Sequence, residues 1–325
     1  MTEFHNFRYS LAKKNKWVCP KCGKKTFVCY VDENGEVLDE SVGKCDRADK
    51  CAHHYPPREY FKDNNLQAPR PTTMVKPSLP AYVLPSYIDP DIFKKSVNGD
   101  KYRLNRLLTY LTGFASFEDD TVHRVAKEYY IGTAKHWDGA TVFWQVDQNG
   151  RVHAGKIMLY NTITGKRIKD PFPHVTWVHT VLGLQNFNLK QCLFGEHLLG
   201  KYPDKPVAVV ESEKTAFILG CIVPQCVAVA CGGCSNLTSA MCQPLRGRDV
   251  VLLPDNGKYD EWTEKGKSMA HMFKSLWISD FMEYAYIHGS RVGADIADYI
   301  TQEYFSWKIS GEGEVDLDLG LEQLK

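Results

Sequence analysis

Short, bounded apolar runs mark the C-terminal half of the chain: VAVV (207–210), VAVA (227–230), VVLL (250–253) and YAYI (284–287). Each is β-branched or aromatic and lacks polar alternation, which predicts strands buried on both faces. Helix-length segments lie between them at 213–219, 236–245 and 259–277. Buried strands alternating with helices predict a Rossmann-like parallel sheet over residues 201–310. The stretch before it has another texture. Leu104, Leu107, Leu108 and Leu111 at helical spacing predict a helix over 87–111. Strands are predicted at 128–132, 140–147 and 151–160. Turn formers at Trp137-Asp138-Gly139 and Gln148-Asn149-Gly150 separate them, and Thr164-Gly165 marks one more turn. Residues 86–200 thus predict a mixed α+β subdomain.

The chain has 325 residues, enough for two or three units. Prolines at 69, 71, 77, 80 and 85 predict an extended linker over 64–85, because proline fixes φ and removes a donor. Residues 1–63 are rich in cysteine and lysine; residues 311–325 form an acidic tail. The overall class is α/β, or α+β taken across all three units.

Hydrophobic residues make up 43% and charged residues 24%, the balance of a soluble globular protein. No apolar run reaches the ~20 residues that a membrane helix needs. The first residues lack the apolar stretch of a secretory signal, so the expectation is a cytoplasmic protein. Net charge of +1 excludes a general polycation, so any nucleic-acid contact must come from local patches.

Eleven cysteines in a reducing compartment predict thiols and metal ligands rather than disulfides. Cys19-Pro-Lys-Cys22-Gly23 is a zinc knuckle, with Cys45 and Cys51 as the second pair. Four thiolates suit tetrahedral Zn2+. A hairpin starting at Thr26–Val31 and turning at Glu33-Asn34-Gly35 would join the pairs. His53 and His54 are alternatives to Cys51, and Cys29 is a spare thiol. Cys226, Cys231, Cys234 and Cys242 read as buried thiols rather than a second zinc site.

In an open parallel sheet, functional groups gather beyond the carboxyl ends of the strands. Glu211 directly follows VAVV, and Asp255 follows VVLLP. Asp295 and Asp298 open the helix expected after the last strand. Carboxylates converging on one edge suit Mg2+ or Mn2+ with substrate phosphates, Glu211 and Asp255 being the catalytic pair and Asp295 a further ligand. Glu211 is also placed to act as a general acid or base. Lys156, Lys166, Arg167 and Lys169, with Trp144 and Trp177, are candidates to contact single-stranded DNA.

VAVVESEKTAFIL resembles the first motif of toprim domains, and VVLLPDNG resembles the strand that bears the toprim aspartate. YYIGTAKHWDGATVFWQVDQNGRVHAGKIMLYNTITGKR (129–167) and QCLFGEHLL (191–199) resemble the core of bacterial DNA primases. The order of ribbon, core and toprim domain is that of primase-like proteins of phages and mobile elements. The resemblance implies nucleotidyl transfer on single-stranded DNA with nucleoside triphosphates, a structural zinc and a catalytic Mg2+ or Mn2+. A helicase is a further candidate partner. The chain departs from the pattern twice. Asp255-Asn256-Gly257 lacks the second acid of Asp-x-Asp, and Thr215 stands where the primase motif has Asp. Asp260, Glu261 and Asp295 are the candidates to substitute. The rival reading is a toprim nuclease or a non-catalytic DNA-binding protein.

Overall fold

The computed structural model describes residues 9–12, 15–32, 34–47, 50–66, 84–285 and 293–302. It divides into two compact units, Met1–Tyr82 and Val83–Lys325. Most of the proline-rich stretch and the whole acidic tail lie outside the described residues.

The first unit is a four-stranded antiparallel sheet in chain order: β1 (Ser10–Leu11), β2 (Phe27–Val31), β3 (Gly43–Cys45) and β4 (His54–Tyr55). The expected turn is present. Asp32 accepts from the amides of Asn34 and Glu36, both at 2.9 Å. A short helix, α1 (Pro57–Asp63), follows. The core is small and built around Phe27 and the cysteines, too little apolar area to hold a fold unaided.

The second unit begins with helices in place of the single one expected over 87–111. Asn98 accepts from Asp100 N–H, and Asn105 from the amides of Leu107 and Leu108. These side chains compete with the helix backbone and restart it. The result is α2 (Pro90–Ser96), a 3-10 turn (Gly99–Leu104) and α3 (Arg106–Thr112). Leu107, Leu108 and Leu111 are buried as their spacing predicts, but Leu104 falls in the turn and is 57% exposed. Helix α4 (Asp119–Glu128) leads into the antiparallel sheet β5 (Ile131–Ala134), β6 (Ala140–Val146), β7 (Val152–Met158) and β8 (Val175–Trp177).

Two short helices, α5 (Val178–Val181) and α6 (His197–Lys201), lead to the parallel sheet. Its strands are β9 (Val207–Val210), β10 (Val227–Ala230), β11 (Asp249–Leu252) and β12 (Ser275–Ile278), in the order β10-β9-β11-β12. Helix α7 (Glu213–Ile222) connects β9 to β10, and α8 (Tyr259–Met269) connects β11 to β12. All four residues of β9, and all four of β10, are buried.

The fourth strand is a correction. Tyr284 closes a helical turn, α9 (Phe281–Tyr284), and Ile287 lies outside the described residues. Instead Ser275–Ile278, expected to end a helix, pairs in parallel with β11. Helix α8 stops at Met269, and Gly266 lets it close onto the strands: a Cβ there would lie 2.9 Å from both Leu252 and Ile278 side chains. As an edge strand, β12 is not buried on both faces, which hides it from an apolar-run criterion. The helix expected at 236–245 is also absent; two 3-10 turns, Cys234–Asn236 and Gln243–Leu245, flank an irregular segment. No helix among the described residues is long and apolar enough to cross a membrane.

Candidate metal centres

In the first unit, the knuckle folds by backbone hydrogen bonds. Gly23 N–H donates to Cys19 O at 2.8 Å, and Cys19 N–H to Lys24 O at 2.8 Å. The wider second pair tightens around one carbonyl, because the amides of Lys50, Cys51 and Ala52 all point to Arg47 O. Five intervening residues therefore still deliver Cys51 to the cluster. Sulfur–sulfur distances are 3.7 Å for Cys19–Cys51 and 4.0 Å for Cys22–Cys45. Zinc bound tetrahedrally at ~2.3 Å requires sulfurs roughly 3.8 Å apart, so the four cysteines fit the ion. The Lys24 amide lowers the Cys22 thiol to about 6, and the Thr26 hydroxyl lowers Cys45.

Among the described residues this is the one group of three or more His, Cys, Asp or Glu side chains with all ligand atoms within 4.8 Å. His53 stacks on Phe27 instead of joining it, and the spare thiol Cys29 donates to Glu40 O at 3.6 Å. Cys226, Cys231 and Cys234 likewise turn to separate oxygens, those of Val223, Val210 and Glu261.

The parallel sheet positions the acids. Register pairs Leu252 with Val209, so the chain leaves β9 and β11 side by side at one edge. Glu211 is the first residue beyond β9, and Asp255 lies on the loop beyond β11. Ser212 caps α7 by accepting from Thr215 N–H at 3.3 Å. Asn256 N–H donates to Ala294 O at 2.9 Å, which ties the segment carrying Asp295 to the Asp255 loop. Asp295 in turn caps the helical residues 296–302 by accepting from Asp298 N–H at 2.9 Å.

Burial, followed by the charges of Asp295, Glu211 and Asp298, raises the Asp255 carboxyl to about 8, partly offset by Lys214. Like charges held together in this way favour a proton or a cation among them. The four carboxylates share one field without closing into a preformed cage.

Of the candidates to replace the missing acids, Asp295 is the one brought to the site. Thr215 Oγ1 donates to its Oδ2 at 2.6 Å. Glu261 on α8 is taken up by Lys258 at 3.2 Å, Lys265 at 3.1 Å and the Cys234 thiol. Asp260, on the same helix, is exposed. Gly257 has φ +78° and donates its N–H to Glu283 Oε1 at 2.8 Å. That backbone conformation favours glycine and strains an aspartate, a physical reason for the absent second acid.

Lys156 reaches across from β7 and holds both carboxylate oxygens of Glu213 at 3.1 Å. It is therefore ion-paired next to the acidic edge rather than solvated. Lys166, Arg167 and Lys169 are exposed on the loop between β7 and β8. Trp144 is not available for stacking on bases. Only 1% exposed, it fits where Gly155 leaves room (a Cβ there would lie 2.7 Å from its ring) and donates to Ser96 Oγ at 2.7 Å. Trp177 is half-buried and stacks on His179. Sequence reasoning missed Lys214 and the Lys156–Glu213 pair. Lys214 sits in the SEKT stretch beside Glu211, a visible signal; the pair joins residues 57 positions apart and leaves none.

The chain carries a cysteine ribbon, then an antiparallel α+β region, then a parallel sheet with acids at its strand ends. Residues 7–66 match the family described as zinc beta-ribbon finger, and residues 105–256 match the domain of unknown function DUF6371. Similar solved structures include the primase fragment of the bacteriophage T7 primase-helicase protein, at 14% identity and a TM-score of 0.37, covering 92% of this chain and 98% of that one. The DnaG catalytic core matches at 13% identity and a TM-score of 0.41, covering 72% and 86%. The zinc-binding and RNA polymerase domains of the Aquifex aeolicus primase match at 12% and 0.38, covering 93% and 79%. No curated protein matches the chain.

Proposed function

We propose that this primase-like chain is a nucleotidyltransferase that joins nucleoside triphosphates on single-stranded DNA. In this reading Glu211, Asp255 and Asp295 hold Mg2+ or Mn2+, and Cys19, Cys22, Cys45 and Cys51 hold a structural Zn2+. The supporting observation is that Glu211 and Asp255 leave adjacent parallel strands at one edge of the sheet, and that the segment carrying Asp295 is tied to the Asp255 loop by the Asn256–Ala294 hydrogen bond. The domain assignment follows: ribbon 1–63, linker 64–85, core subdomain 86–200, toprim domain 201–310, tail 311–325. A cytoplasmic location and a helicase partner belong to the same proposal.

The divalent ion, when bound, neutralises triphosphate oxygens and the charge that develops on transfer. The chain's own residues do the rest. Glu211 and Asp255 would hold the ion through which the phosphates are positioned. Glu211 is the group placed to take a proton from the attacking hydroxyl. Lys166, Arg167 and Lys169 offer exposed charges to the template backbone.

A second reading, a toprim nuclease or a binding protein on the same scaffold, is favoured by one observation. Thr215 and Gly257 occupy both positions where the resembled motifs carry acids, and the Gly257 backbone resists an aspartate. Incubation of the full chain with single-stranded DNA, labelled nucleotides and Mg2+ or Mn2+ separates the two. New oligomers that disappear in Glu211→Gln support synthesis. Strand cuts, or binding without products, support the second reading.

A further inference from the structure

We propose that Phe172, His174, Trp137 and His136, a row of rings on the face of the antiparallel sheet away from the acidic edge, form a stacking platform for the bases of single-stranded DNA. The inference rests on the single-stranded DNA reading given above, and on neither the metal nor nucleotidyl transfer.

The rings touch in sequence. Phe172 stacks on His174 with centroids 4.5 Å apart and planes at 19°. His174 meets Trp137 edge-on at 5.1 Å, and Trp137 meets His136 at 4.6 Å. Two distant segments supply them: the turn between β5 and β6 carries His136 and Trp137, and the loop between β7 and β8 carries Phe172 and His174. The middle of the row is anchored. Trp137 packs against the core that contains Trp144 and Ile157. His174 N–H donates to Ile168 O at 3.1 Å, and His174 O accepts from Leu159 N–H at 3.2 Å. The ends are open, with Phe172 51% exposed and His136 also exposed. Pro171 and Pro173 restrict the backbone on either side of Phe172, which lowers the entropy cost of holding its ring there. One exposed ring is ordinary, whereas contiguous exposed rings mark a contact surface.

Strand alternation sets the face. Lys156, which reaches Glu213 beside the acids, pairs with Trp177 on β8, so both project to one side. His174 stands three positions before Trp177 and opposite Leu159, on the other side with Ile157 and Trp144.

Charge selects the occupant. Lys135 is exposed beside His136, and the exposed Lys166, Arg167 and Lys169 precede Phe172 on its own loop. Among the described residues none of these four cations has an ion pair. The exposed acids on the same two segments are Asp138 and Asp170. Rings beside unpaired cations match a single strand, whose phosphates meet the charges while its bases stack on the rings. A duplex keeps its bases stacked on one another and offers none.

The test is fluorescence anisotropy of the full chain with a labelled single-stranded oligonucleotide and with an abasic strand of equal length, which keeps the phosphates and lacks the bases. Wild type should bind the ordinary strand roughly tenfold more tightly than the abasic one, the order that a base stack contributes. Phe172→Ala with His136→Ala changes only the two exposed ends of the row. That variant should lose this preference, with unchanged binding to the abasic strand and an unchanged salt slope, because stacking releases no counterions. Equal wild-type affinity for the two strands would overturn the inference, whatever the variant does, and would leave the single-stranded DNA reading standing. An unaltered preference in the variant, or an equal loss on both strands, would overturn it too. No binding to either strand would overturn both. Base-dependent binding without primer synthesis would support the platform and count against the nucleotidyltransferase reading alone.

Discussion

Thr215 Oγ1 donates a 2.6 Å hydrogen bond to Asp295 Oδ2, joining the start of α7 to a segment 80 positions later. Thr215 is 1% exposed, so its hydroxyl has no alternative partner in water. Thr215→Val keeps the shape and removes the donor. The expected loss is about 1.5–3 kcal/mol in denaturant unfolding, the range for a hydrogen bond to a charged group. No change would mean that Asp295 is not held by Thr215.

Stability should depend on pH through Asp255. Its carboxyl titrates near 8 in the folded chain, against about 3.9 unfolded, so the folded state binds the extra proton. Without added divalent ion, stability should therefore fall as pH rises from about 4 to about 8, then level off. Asp255→Asn should flatten that part of the curve, and added Mg2+ should restore stability at the alkaline end. A wild-type curve unaffected by either change in thermal melts would contradict the crowding of acids.

Two basic groups should behave differently. Lys166→Glu with Arg167→Glu should weaken binding to single-stranded DNA and reduce its salt slope without altering stability. Lys156→Met should instead destabilise the fold by roughly 3 kcal/mol, because it strands Glu213, which is 1% exposed. Adding Glu213→Leu to that variant should recover most of the loss. Fluorescence anisotropy at several salt concentrations and chemical denaturation distinguish the two roles. Absence of binding at low salt would remove support from synthesis and cleavage alike.

Zinc should be present at one ion per chain by elemental analysis. Cys19→Ser with Cys22→Ser should release it and unfold the first unit, whose core is too small to persist without the ion. No zinc would contradict the cluster geometry. Two would revive the cysteines between 226 and 242.

Strand ends were the most legible part of the site. VAVV and VVLLP announce buried strands, and position alone puts Glu211 and Asp255 on one edge. The knuckle Cys19–Cys22 was equally plain, and Cys51 followed once a wide loop was allowed. Ser275–Ile278 was hidden because an edge strand needs no continuous apolar run. Asn98 and Asn105 broke the expected first helix through capping, which outweighs leucine periodicity over so short a stretch. Trp144 was misplaced because sequence distance does not tell a core aromatic from an exposed one; the glycines flanking it in space decide that. Lys156 looked like a surface cation for a related reason, since its partner Glu213 lies on α7, 57 positions away.

The most direct test of the account is anomalous diffraction from crystals of the full chain grown with Mn2+. The account predicts a manganese peak bound by Glu211 and Asp255 beyond the ends of β9 and β11, lost in Asp255→Asn. A map without manganese at that edge, or with Glu211 and Asp255 on opposite faces of the sheet, would contradict it.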